Sequence, residues 1–270
     1  MSTVSSLAAS DRSTRQPHRR LPAAHPAEGS ADLEPVELLW TGGWDSTFRL
    51  LQLTLVEQRT VQPIYVIDPE RRSLGHELRA MVAIREAAIP RLPSGARIEP
   101  ARMYVRTDFP DPPHLGERFS AIERRVHIGR QYLWLASVAD ALGLVDVEMC
   151  IPKHELPSGL QDTVFTGIRT GSPRLKDTWE AELFRYWTFP VLTTTKAAMG
   201  DVAAERGFRD VLELRWFCLL PAGRHLACGR CRPCRIARRD GATGGVTFAN
   251  RAQWYAQSLA RKLRRGRGSA

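Results

Sequence analysis

Val36 to Trp40 is a short, largely apolar run that ends in twin glycines, after which the chain restarts as Trp44-Asp45-Ser46-Thr47. Five residues of this kind read as a buried strand, whereas Phe48, Leu50, Leu51 and Leu55 recur at helical spacing. Thr41 to Ser46 is therefore expected to be a strand-to-helix turn. Such a turn offers backbone N–H groups and the positive end of a helix, and paired glycines let an anion approach the main chain closely. A phosphate meets those requirements. Thr41, Ser46 and Thr47 add hydroxyl donors, while Asp45 suits either a helix cap or a metal bound to phosphates. An ordinary capped strand–turn–helix uses the same residues, so the motif by itself leaves both readings open. The Walker pattern G-x-x-x-x-G-K-[ST] occurs nowhere in the chain, which excludes a kinase-type or GTPase-type loop.

The pattern repeats downstream. Val61 to Ile67 reads as a second buried strand ending at Asp68-Pro69, followed by a helix over Gly75 to Ile89 with Leu78, Met81, Val82, Arg85 and Ile89 on about one face. A short strand is expected at Met103 to Val105, a Pro-rich loop over Phe109 to Leu115, a helix over Gln131 to Leu142 and a buried strand over Val145 to Ile151. Cys150 in that strand reads as a core residue. Beyond Pro152 the chain looks irregular through Ser158-Gly-Leu-Gln-Asp162 and Arg169-Thr-Gly-Ser-Pro173. A helix is expected over Trp179 to Trp187, and another over Lys196 to Arg206, capped by a threonine of Thr193-Thr-Thr195 and stopped at Gly207. Apolar strands alternating with helices indicate an α/β fold, a twisted parallel sheet with helices on both faces. Ligands in such sheets sit at the carboxyl ends of the strands, where the Thr41 turn, Asp68 and Cys150-Ile-Pro-Lys153 fall.

Residues 1–33 are rich in Ser, Ala, Arg, Pro and His without periodicity and read as disordered. No apolar run approaches the roughly 18 residues of a membrane span, and the N-terminus lacks a signal-peptide core, so no membrane association and a cytoplasmic location are expected. The formal charge of +10 is concentrated rather than spread. Arg251, Arg261, Lys262, Arg264, Arg265 and Arg267 make residues 241–270 a basic tail, and Arg224 to Arg239 adds six more arginines without an acid. Nucleic-acid contact through the tail is one reading, and a solvated end is the other.

Four of the five cysteines, Cys218, Cys228, Cys231 and Cys234, follow the spacing C-x9-C-x2-C-x2-C within residues 216–240. Overlapping C-x2-C steps turn successive thiolates toward one ion. Four thiolates make a closed tetrahedral Zn2+ site with no open position for catalysis. An iron–sulfur cluster is the competing reading, and a metal-free reduced set the third. His225 is a substitute ligand that four cysteines make unnecessary.

Thr41-Gly-Gly-Trp-Asp-Ser46 resembles the S-G-G-x-D-S pyrophosphate (PP) loop of ATP pyrophosphatases, with Thr in place of the first Ser. The loop together with Trp216-Phe-Cys218 and Cys228-Gly-Arg-Cys231-Arg-Pro-Cys234-Arg235 resembles the 7-cyano-7-deazaguanine synthases, over about Val36 to Asp240. Asp68 with Glu77-Leu78, Gly129-Arg130-Gln131, Lys196 and Ser158-Gly-Leu-Gln-Asp162 are similar to further family elements. Departures fall at Leu160, Gln161, Thr163, Val164 and Gln131, so the nucleotide half matches the family while the acceptor half is altered.

The resemblance implies a Rossmann-like PP-loop ATPase domain over residues 34–215 followed by a four-cysteine zinc ribbon. It implies that Leu39, Trp40, Thr41, Gly42, Gly43, Trp44, Asp45, Ser46, Thr47 and Asp68 bind ATP with Mg2+. Of the catalytic set, Asp45 would hold Mg2+ or a water, Ser46 with Thr47 and the Gly42 and Gly43 amides would hold the departing pyrophosphate, Arg130 and Lys196 would meet the developing negative charge, and Ser158 and Asp162 would contact the substrate. The implied reaction adenylates the carboxylate of 7-carboxy-7-deazaguanine and uses ammonia to form first an amide and then a nitrile. The expected partners are that deazapurine acid, ammonia and a second copy of the chain in a homodimer. Two alternatives stand beside it: an adenylating enzyme with another acceptor, such as a nucleic-acid base or a protein carboxylate, and a non-catalytic nucleic-acid module built on the Arg-rich ribbon.

Overall fold

The computed structural model describes residues 34–153, 158–168, 170–223 and 226–239. The first 33 residues, His225 and the tail from residue 240 onward lie outside them, as do the expectations placed there. Val36–Leu39 (β1) forms the centre of a parallel sheet with Val61–Ile67 (β2), Arg102–Val105 (β3), Val147–Glu148 (β4) and Trp187–Thr188 (β7), in the order β3-β2-β1-β4-β7. Phe165–Thr166 (β5) and Arg174–Leu175 (β6) form a separate antiparallel pair.

Two cores occupy the two faces of the sheet, because alternate strand residues point opposite ways. Leu38 and Tyr65 face one core with helices Trp44–Leu51 (α1), Leu74–Ala88 (α2), Lys196–Glu205 (α6) and Arg209–Leu212 (α7). Ile64 and Val147 face the other with Pro113–Glu123 (α3), Gln131–Leu142 (α4) and Ser158–Val164 (α5). The arrangement is α/β with a fully covered parallel sheet, as the apolar strands require. Among the described residues, no helix is long and apolar enough to cross a membrane.

Several expectations need correction. The stretch Phe109 to Leu115 is not wholly a loop, since α3 begins at Pro113. Proline suits a first helical turn because the amide it lacks would have no partner there. In α2 the buried face is Glu77, Ala80, Met81, Ile84 and Ala88, while Val82 and Ile89 are exposed. That face turns inward because the Glu77 carboxylate accepts hydrogen bonds from Tyr65 Oη at 2.9 Å and from Arg71 at 3.1 Å. Ser73 Oγ adds a third, at 2.6 Å. The strand expected over Val145 to Ile151 shortens to β4, leaving Val145 exposed. Trp179 to Trp187 is not one helix but a 3-10 turn, Ala181–Phe184, that delivers Trp187 into β7 beside β4. Ser158 to Val164, read as irregular, is helix α5.

Candidate functional site

The sheet order changes direction between β1 and β4, and a cleft of about 500 Å3 opens beyond the carboxyl ends of these strands. Leu39, Thr41, Gly43, Asp45 and Ser46 form one wall, and Met149, Cys150 and Ile151 after β4 form another. Gly42 takes a left-handed φ of +66°, and a Cβ there would come within 3.1 Å of the Glu77 carbonyl oxygen. Only glycine lets the turn press this closely on α2. No side chain caps α1. The N-cap position is Gly43, which brings no side chain over the first turn.

Lys196 comes from the far side of the chain. Thr195 Oγ1 accepts from the Ala198 amide at 3.2 Å and so starts α6. The Lys196 ammonium then lies 3.4 Å from the Asp45 carboxylate, both only about one fifth exposed. Among the described lining residues Asp45 is the single acid, against Lys196, Arg71 and Arg232.

Other residues of the implied site lie elsewhere. Thr47 is fully buried, and its hydroxyl accepts from Trp40 Nε1 at 3.1 Å, so neither residue faces the cleft. Trp44 points back beneath Arg215, whose guanidinium carbon is 4.3 Å from the ring centre. Gly42 turns its carbonyl to the Trp216 amide at 2.8 Å. Asp68 accepts from the Glu70 amide at 3.2 Å and pairs with Arg106 at 3.4 Å, outside the cleft lining. Arg130 pairs with Asp111 at 3.2 Å and is largely exposed, while its neighbours Gly129 and Gln131 line the cleft. Asp162 is exposed on α5, with its carbonyl bound by Lys176, and the Ser158 side chain lies outside the described residues. Of that segment, Leu160 faces the cleft.

Beneath the cleft, Arg49 on α1 grips Glu148 on β4 through two hydrogen bonds of 2.8 Å. Burial acts against the Arg49 charge, but Glu148 and Glu57 outweigh it and raise its pKa. Cys150 stands at the cleft floor rather than wholly in the core. Burial foremost, then the Glu148 and Asp45 carboxylates, push its thiol well up, which keeps it protonated and unreactive.

The remaining wall comes from the cysteine segment: Leu219, together with Arg232, Pro233 and Ile236 on helix Arg232–Arg239 (α8). This contribution was invisible in the sequence, where the only hint was the arginines between the cysteines. Cys218, Cys228, Cys231 and Cys234 hold their sulfurs within 4.8 Å of one another, with Cys228 and Cys234 at 3.9 Å. Tetrahedral coordination at about 2.3 Å per Zn–S bond needs sulfurs about 3.8 Å apart, so the set fits a metal ion. The Cys228 amide donates to Cys218 Sγ at 3.1 Å and the Cys231 amide to Cys228 Sγ at 3.3 Å, contacts that favour thiolates. Protons are shared unevenly within the set: contacts with Cys218 and Cys234 hold the Cys231 thiol far below its ordinary range, while the same contacts push the Cys218 and Cys234 thiols up.

Fold and site together define an α/β protein with a mainly cationic cleft at the switch point of a parallel sheet and a four-cysteine metal-binding cluster forming part of the cleft wall. No known protein family matches the chain, and no curated protein is significantly similar to it.

Proposed function

We propose that the protein is a PP-loop adenylating enzyme that activates a carboxylate with ATP and transfers it to ammonia, with 7-carboxy-7-deazaguanine as the first acceptor to test. The observation that carries this reading is the convergence of Lys196 and Asp45 at 3.4 Å beside Thr41, Gly43 and Ser46, at the carboxyl end of β1. A cation, hydroxyls and uncapped amides around one point form a site for a polyphosphate leaving group.

In this mechanism an acceptor carboxylate oxygen attacks the α-phosphorus, and the bond from that phosphorus to the bridging oxygen breaks as pyrophosphate departs. Thr41, Ser46 and the first-turn amides of α1 hold the departing oxygens, and Lys196 offsets their charge. Ammonia attacks the activated carbonyl carbon, releasing AMP and a proton and leaving an amide. A second ATP then adenylates the amide oxygen, releasing pyrophosphate and one N–H proton to leave an imidate, and loss of AMP with the remaining N–H proton gives the nitrile. Mg2+, held through Asp45, would screen the phosphate charges. The cysteine set suits Zn2+, whose four thiolate ligands leave no position for chemistry.

One observation favours a different acceptor. The segment that resembles the family's substrate loop is helix α5, and it turns Leu160, not Asp162, toward the cleft. An apolar side chain there removes the acceptor that a guanine-like edge would need. Incubation with ATP, ammonia and 7-carboxy-7-deazaguanine, followed by mass spectrometry, separates the readings. A nitrile supports the deazapurine acid, and AMP formed only when RNA, DNA or protein is added supports a macromolecular acceptor. Failure to bind ATP at millimolar concentration refutes adenylation altogether.

A further inference from the structure

Between α7 and the first cysteine the chain runs as a strap along the glycine turn. Arg215, only 5% exposed, covers the Trp44 ring. One residue on, Trp216 donates its backbone N–H to Gly42 O at 2.8 Å. The same residue donates its indole Nε1–H to Cys218 O at 2.7 Å. Its ring lies against His76 of α2, with centroids 4.4 Å apart. His76 Nε2 in turn stands 2.9 Å from Gly223 O, inside the cysteine segment. Gly42 is thereby held between α2 on one side and Trp216 on the other.

The geometry points to Trp216 as a positioning residue that ties the state of the four-cysteine cluster to the conformation of the Gly42-Gly43 turn. The inference deepens the adenylation reading and rests on it for its functional meaning, since the turn is the phosphate subsite there. When the cluster is closed around a metal, Cys218 is fixed at one end of the strap. The core residues Val211 and Leu212 fix the other. Both hydrogen bonds of Trp216 then have stationary partners. Opening the cluster releases Cys218, and Gly42 loses the donor that holds its carbonyl. One hydrogen bond lost from a local opening equilibrium corresponds to about fivefold faster amide exchange.

The test is hydrogen exchange read by mass spectrometry on the full-length zinc-loaded protein without nucleotide, before and after removal of zinc by chelation. Exchange of the hydrogen-bonded amides within Thr41 to Thr47, those of Thr41 and Thr47, should rise about fivefold, while Val61–Ile67 in the sheet stays unchanged. Trp216→Ala should reproduce the rise with zinc content intact. His76→Ala, which removes the ring that braces Trp216 together with its contact to Gly223 O, should give a smaller rise of about twofold and covers the case in which W216A does not fold. Unchanged exchange at Thr41 to Thr47 after zinc removal overturns the proposal, as does a rise that spreads equally to Val61–Ile67. An ATP titration run alongside keeps the two readings apart. Zinc-dependent exchange without ATP binding sinks adenylation alone, and ATP binding with zinc-independent exchange sinks the coupling alone.

Discussion

Replacing Lys196 with methionine should damage ligand binding far more than folding. The ammonium lies 3.4 Å from Asp45, at side-chain exposures of 21% and 18%. At an effective dielectric of about 20 the bare attraction is about 5 kcal/mol, but desolvation and side-chain ordering cancel most of it. A pair this open to the cleft should contribute no more than about 1 kcal/mol to stability. With a triphosphate bound, Lys196 makes charge-assisted contacts whose loss costs about 2 kcal/mol, or roughly thirtyfold in Kd. Its loss also leaves Asp45 facing the phosphates with less compensation. K196M should therefore unfold in urea within about 1 kcal/mol of the parent, and calorimetry at fixed ionic strength should give an ATP Kd about thirtyfold weaker. An unchanged Kd refutes the placement of the phosphates between α1 and α6. A stability loss of about 3 kcal/mol would instead make Lys196 a structural residue.

Four further outcomes follow from the same contacts. Glu148→Ala strands Arg49 beneath the cleft; because Arg49 keeps Glu57 at 2.6 Å, the loss should be about 2 kcal/mol rather than the larger cost of a fully orphaned charge, measured by urea unfolding. Gly42→Ala forces a Cβ into a left-handed conformation against the Glu77 carbonyl, which should cost about 2 kcal/mol in stability and abolish detectable ATP binding. Tyr186, buried foremost and hydrogen-bonded to Asp140, has its hydroxyl pushed up to about 12, above an unfolded value near 10. The stabilisation is thus complete below pH 10 and is lost as pH rises through about 12, and Tyr186→Phe should flatten the fall in stability over that window. Cd2+ in place of Zn2+ should leave turnover within about twofold, since four thiolates enclose the ion, and a large change would place the ion in contact with the reaction.

The first strand, its turn, β2 and α4 were legible because each is set by a contiguous apolar pattern, and the start of α6 because Thr195 is a local cap. The cysteines were legible from spacing alone. Contributions that depend on distant partners were not. Thr47 looks like a phosphate donor until its side chain is seen fully buried against Trp40. Arg130 is expected at the site from resemblance, and only the fold shows it largely exposed and paired with Asp111, nineteen residues earlier. Glu77 looks solvated until Tyr65 and Ser73 surround it. In the other direction, Lys196 was placed by resemblance, and only the fold brings it to Asp45, across some 150 residues of chain.

The cysteine segment explains how a cleft at the carboxyl ends of the central strands gains its last wall. Among the described residues, its own buried cluster is Cys218, Ala227, Cys228 and Cys234, with Trp216 shared between that cluster and the main core. So small an apolar set does little to offset the entropy of ordering the segment, and in the proposed reading a bound metal would supply the rigidity. Rigidity matters because Leu219, Arg232 and Ile236 then stand at fixed positions facing Thr41 and Ser46. In that reading a metal enclosed by sulfur would act on the cleft through the shape of this wall. Of the ribbon arginines, Arg232 looks toward the cleft, so part of the basic charge that suggests nucleic acid faces the cleft instead.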